Sequence, residues 1–200
     1  MRVLRPCSEA EVIAAFLVGE LDSPRFGPQI RALLANDGRD TSIVERPSLT
    51  DERANAYRAR LLDGYRAWLC REGLFLGFPE EVEWCRAALT ADEVLDILFI
   101  NWDWWLTISG GTRRPREAAR LIRAGEVPGE STDGWEPIAA RLGEGTAREL
   151  IVVMAPDRSR VVAVEGHARL TAYALYPEYL PDSVEVLLGV SDEIAEWCLY

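Results

Sequence analysis

The sequence predicts an α+β protein: a helical N-terminal region packed on a small mixed β-sheet domain. Two observations predict that class. Apolar residues recur at helical spacing through the first half of the chain. In the second half, Leu150-Ile151-Val152-Val153-Met154 and Val161-Val162-Ala163-Val164 are short, β-rich and almost wholly apolar, as strands buried on both faces are. A third concerns size: 200 residues suffice to bury about 70% of the surface an unfolded chain exposes, so a real core is expected.

In order along the chain, Ser8-Glu9-Ala10-Glu11 reads as a capping box that opens an amphipathic helix through Val12, Ile13, Phe16 and Leu17. Ser23-Pro24 reads as the start of a second helix, with proline at its first position, carrying Ile30, Leu33 and Leu34. A loop covers residues 39–48. Thr50-Asp51-Glu52-Arg53 caps a longer helix with Tyr57, Leu61, Leu62, Tyr65, Trp68 and Leu69, ended by Gly73. Residues 82–89 fit a strand or a helix equally. Thr90-Ala91-Asp92-Glu93 caps a helix through Leu95, Leu98 and Phe99. After a soft boundary near residues 106–111, short helices are expected around Ala118 to Ile122 and from Trp135 to Leu142. The two apolar strands follow, joined by a turn at Pro156-Asp157-Arg158-Ser159. A helix is expected from His167 to Tyr176, a strand at Val184-Glu185-Val186-Leu187-Leu188, and a terminal helix from Glu193 to Tyr200. The division expected is 1–106, mostly helical, and 107–200, α/β.

Charge and composition narrow the function. The net charge is -11, which repels phosphate backbones and argues against nucleic acid as a partner. The one basic run, Arg113-Arg114-Pro115-Arg116, is short. All 22 basic residues are arginine, which excludes a Schiff-base lysine or a Walker lysine and leaves every cationic role to guanidinium. Four scattered cysteines (Cys7, Cys70, Cys85, Cys198) and a single histidine argue against a zinc cluster. The thiols are expected to be reduced and buried, with Cys70 in the core. No apolar stretch approaches the length of a membrane span, so a cytoplasmic protein without a membrane partner is expected.

The chemistry concentrates at Glu165-Gly166-His167-Ala168-Arg169. An apolar strand ends, a glycine permits a tight turn, and a helix begins. The first backbone N–H groups of a helix lack intrahelical partners and carry the positive end of its dipole, so they attract anions. His167 and Arg169 add side-chain donors there, and Glu165 adds a carboxylate. A simpler reading pairs Arg169 with a carboxylate and leaves His167 incidental.

The pattern of a strand, then Glu-Gly-His-x-Arg, then a helix and a further strand resembles the signature of the ParB/sulfiredoxin superfamily, over roughly Gly110 to Leu188. The resemblance implies a ParB/sulfiredoxin-type domain whose turn, Gly166, His167 and Arg169, holds nucleotide phosphates. Sulfiredoxins carry a catalytic cysteine inside the turn where this chain has His167-Ala168, which disfavours their chemistry. The free-serine kinases of the superfamily are closest in style, and by analogy Glu165 is the candidate general base with His167 as its neighbour. Asp103 and Glu130 are weaker candidates. The implied ligands are a nucleotide (ATP, ADP or CTP), magnesium and a small-molecule acceptor.

The resemblance also implies a second phosphate-side element, and Ser109-Gly110-Gly111-Thr112-Arg113-Arg114-Pro115 is the best candidate. There Thr112 and Arg113 would meet a phosphate, unless the segment is only a linking loop. Trp102 and Trp104 either wall the nucleobase or substrate or pack the two halves together. The expected function is a nucleotide-dependent phosphotransferase or hydrolase. The alternative is a non-catalytic nucleotide-sensing module, with a DNA-binding or nuclease role a more distant third.

Overall fold

A computed structural model describes residues 1–200 as an α+β fold of nine helices and one five-stranded mixed sheet. The strands are β1 (Arg2–Pro6), β2 (Glu83–Leu89), β3 (Leu150–Met154), β4 (Val161–Glu165) and β5 (Val184–Val190), in the order β1-β2-β5-β3-β4. Only the β3–β5 pair is parallel. The helices are α1 (Glu9–Leu21), α2 (Gly27–Asn36), α3 (Ser42–Glu45), α4 (Glu52–Arg66), α5 (Ala91–Leu95), α6 (Asp103–Ile108), α7 (Pro115–Arg123), α8 (Glu136–Gly143) and α9 (His167–Leu175). None is long and apolar enough to cross a membrane.

The sheet has a core on each face, which is why β3 reads apolar at every position. Ile151 and Val153 face α1, α2 and α4. Leu150, Val152 and Met154 face α7, α8 and α9. β2, from the first half of the chain, pairs with β5 through all seven residues of both strands. The expected division at residue 106 therefore does not divide the sheet. β1 was not expected: its residues are all exposed, and it exists because its backbone pairs along β2. The ambiguous segment at 82–89 resolves as strand β2, with Trp84, Ala87 and Leu89 inward.

Several local expectations change. Ser8 accepts from the Glu11 amide, but the Glu11 carboxylate turns to Arg5 and Arg86 instead of closing the box. Thr90 and Glu93 form both halves of theirs. The second helix begins at Gly27, so Ser23-Pro24 stays in the turn before it. α4 stops at Arg66 because Ala67 adopts a left-handed conformation, φ 59°. Trp68 then leaves the helix and is fully buried. α5 ends at Leu95, and Leu98 bridges Val162 on the outer side of β4. The C-terminal segment forms only a short 3₁₀ turn, Ile194–Glu196. Cys70 and Cys198 are exposed and Cys7 and Cys85 partly buried, so the cysteines do not belong to the core as expected.

Candidate functional site

β4 ends in a bulge. Ile151 pairs with Glu165 and Val152 with Ala163, which leaves Val164 as the extra residue. Such a bulge bends the strand end and re-aims the side chains that follow. Gly166 comes next, at φ 109°, where a side chain is strained; a Cβ there would also collide with Leu150 and crowd the Arg169 guanidinium. Glycine is thus required by both conformation and space. α9 starts at once with His167.

This turn forms the floor of a cleft of about 510 Å³ between the α1–α2 corner, the end of α4, α6, α8 and the β4–α9 junction. Glu165, Gly166, His167, Ala168 and Arg169 all line it. Residues from both halves of the chain close it, so the cleft exists only in the assembled fold. Five arginines (Arg25, Arg66, Arg141, Arg148, Arg169) and three carboxylates (Glu20, Asp22, Glu165) line it. The cleft is therefore positive inside a chain of net charge -11.

Each carboxylate holds one arginine. Glu165 accepts from Arg169 Nη2 at 3.0 Å through one oxygen and from the Gly166 amide through the other. Glu20 accepts from Arg66 and from the Tyr65 hydroxyl. Burial raises the Glu20 pKa, against the pull of Arg66. Asp22 meets Arg148 at 2.7 Å across the mouth. Arg169 Nε is buried without a partner.

His167 is 8% exposed, and its ring stacks on Trp105 with centroids 5.0 Å apart. Its Nε2 accepts the Ile100 amide at 3.4 Å. Burial, reinforced by Arg169, pushes its pKa down to about 3. His167 is thus a neutral imidazole, already an acceptor at Nε2, and is not a cation for phosphate.

The second expected element lies elsewhere. Arg113 Nε donates to Phe99 O at 2.7 Å, Nη1 to Tyr200 O at 2.6 Å and Nη2 to Leu199 O at 3.2 Å. Thr112 Oγ1 donates to Ser109 O at 2.8 Å. Neither residue lines the cleft. The Ser109–Pro115 loop fastens the C-terminal segment to α6 and α7, which corrects its expected phosphate role. The basic run around it disperses too, since Arg116 pairs with Asp92 and Asp96.

Trp102 lines the mouth of the cleft at 49% exposure, whereas Trp104, 43% exposed, lies outside it. The segment turns into α6 after Trp102, and only Trp102 of the two is brought to the cleft. Trp105, stacked on His167, and the buried Trp197 also line the cleft. Asp103 and Glu130 lie outside the cleft. Arg66 and Glu20 were missed from sequence. Their only local signal is a cation at one helix end and a glutamate near another, which helix-dipole effects explain equally well.

Compared with known families, curated proteins and solved structures, the chain shows no significant match to any of them.

Proposed function

We propose that this protein binds a nucleotide or a chemically similar phosphorylated small molecule in the cleft, with its phosphate at the Glu165-to-Arg169 turn. The observation that supports this best is the position of that turn. The first N–H groups of a nine-residue helix and Arg169 lie together at the floor of a positive, partly aromatic cleft of about 510 Å³. In this reading Trp102 borders the base or acceptor at the mouth, and the C-terminal half belongs to the ParB/sulfiredoxin type.

The residues present fit a nucleotide better than a nucleotide with magnesium. Every carboxylate of the cleft is held by an arginine. Arg25 and Arg141 make no ion pair and supply positive charge for phosphate, whereas no carboxylate of the cleft is without an arginine partner to hold magnesium.

Two activities fit the same site. In a phosphotransferase or hydrolase Glu165 is the base. In a non-catalytic sensor, ligand binding alone is the output. The hydrogen bonds on both oxygens of Glu165 and on Nε2 of His167 favour the sensor, because each candidate base already serves as an acceptor within the fold.

Thermal unfolding with ATP, ADP, CTP and GTP, with and without magnesium, tests binding. A ligand specific for the folded state, at a hundredfold excess over its Kd, adds about 2.7 kcal/mol. The expected result is a raised midpoint for wild type and none for Arg169→Ala. No response from wild type to any of the four would remove the nucleotide reading. Phosphate release under the same conditions separates enzyme from sensor.

A further inference from the structure

Two arginines at the cleft floor come from opposite halves of the chain. Arg169 belongs to the first turn of α9, and Arg66 is the last residue of α4. Each guanidinium is fixed along one side by a carboxylate. Glu20 takes Nε and Nη2 of Arg66, and Glu165 takes Nη2 of Arg169. The Phe26 ring covers the Arg66 guanidinium at 3.8 Å, and Tyr65 fixes Glu20 in turn. No hydrogen bond uses Nη1 of either arginine, and both residues line the cleft.

The two sites adjoin. Gly19 of α1 lies against the Glu165 carboxylate and Arg169 Nη1, and the next residue in α1 is Glu20, the partner of Arg66. The Glu20 carboxylate senses the charge of Glu165, and the His167 ring senses both Arg169 and Arg66.

We infer that Arg66 and Arg169 form one clamp that takes a doubly charged phosphate group between their Nη1 donors, Arg66 being the specificity-determining arginine supplied by the N-terminal helices. This assignment rests on the phosphate reading of the cleft and adds a demand on the ligand. The carboxylate partners neutralise Arg66, Arg148 and Arg169 one for one, leaving Arg25 and Arg141 as two uncompensated charges. A dianion balances them and a monoanion does not. Guanidinium groups held from behind lose little freedom when they bind, which favours a compact group with several acceptor oxygens.

The test is calorimetric titration of ATP, and separately of inorganic pyrophosphate, into wild type, Arg169→Gln, Glu20→Gln and the double variant Arg66→Gln/Glu20→Gln. The double variant removes the Arg66 donors without leaving a buried carboxylate unpaired and without changing the net charge of the cleft. The clamp predicts at least tenfold weaker binding of both probes by the double variant and by Arg169→Gln, and a smaller loss, about threefold, for Glu20→Gln, which keeps the Arg66 donors but no longer fixes them from behind. In wild type, saturating ATP should also shield Arg66 and Arg169 from phenylglyoxal, read by mass spectrometry of the modified peptides, which needs no variant to fold. A folded double variant with wild-type affinity, beside a failing Arg169→Gln, overturns the clamp and leaves the phosphate reading standing. Undiminished modification of Arg66 under ATP overturns it equally. Failure of both probes to bind wild type removes the phosphate reading and the clamp together.

Discussion

The Glu165-to-Arg169 turn and the Ser109-to-Pro115 loop look alike as sequence and behave differently as structure. Both combine glycine with arginine beside a helix start. In the turn, the Arg169 guanidinium keeps Nη1 unbonded and lies in a cleft. In the loop, every nitrogen of the Arg113 guanidinium donates to a backbone carbonyl. What separates the proposed binding element from the structural one is therefore where the donors go. Composition does not decide it.

The largest expected effect concerns the base of the turn. His167 is the only histidine, so its titration is isolated from others of its kind. Its folded pKa, about 3, lies below the unfolded value of 6.5. The stability it contributes is complete above pH 6.5 and is lost as pH falls toward 3, because the unfolded chain takes up a proton that the buried ring refuses. The loss is on the order of 4 kcal/mol over that range. Urea unfolding of wild type and His167→Gln at several pH values measures it. If the two proteins weaken in parallel as pH falls, the imidazole is not held neutral between Trp105 and the Ile100 amide.

The next effect separates the two arginines. Arg113→Ala leaves the carbonyls of Phe99 and Tyr200 without their partner, and that of Leu199 with the Asn101 amide alone, and should cost about 3 kcal/mol, with the nucleotide response intact. Arg169→Ala removes a partly buried ion pair and should cost about 1 kcal/mol, with the nucleotide response abolished. Denaturant midpoints and thermal shifts measured on both variants decide the matter. A lost response in Arg113→Ala at unchanged stability would return the loop to the ligand site.

The turn was legible because its parts are contiguous: an apolar strand, a glycine and a helix start occupy adjacent positions, and the physics that joins them is local. The buried strands β3 and β5 and most helices were legible for the same reason of period and capping. Arg66, Glu20 and Trp105 were not, because they reach the floor through pairing and packing between segments far apart in the chain. β1 carries no inward face to betray it; only its backbone partner β2 makes it a strand. The structural role of Arg113 is hidden because its acceptors lie in residues 99, 199 and 200, which nothing near the loop announces.

The smallest expected effect is the most specific to the turn. Gly19 lies in the interior of α1, where alanine is favoured over glycine by about 0.5–1 kcal/mol. A Cβ there would stand 3.0 Å from Glu165 Oε1 and within ordinary contact of Arg169 Nη1 and Nη2. The glutamate side chain can retreat, so the helix gain and the crowding nearly cancel. Gly19→Ala should leave stability within about 0.5 kcal/mol of wild type. The retreat nevertheless draws Glu165 away from Arg169 and leaves that guanidinium less fixed. ATP binding should weaken by about threefold, the cost of ordering it again on each binding event. Calorimetry beside a urea titration separates the two quantities. Tighter binding would mean that Glu165 competes with the ligand for Arg169 and the Gly166 amide, in which case the carboxylate plugs the site and does not build it.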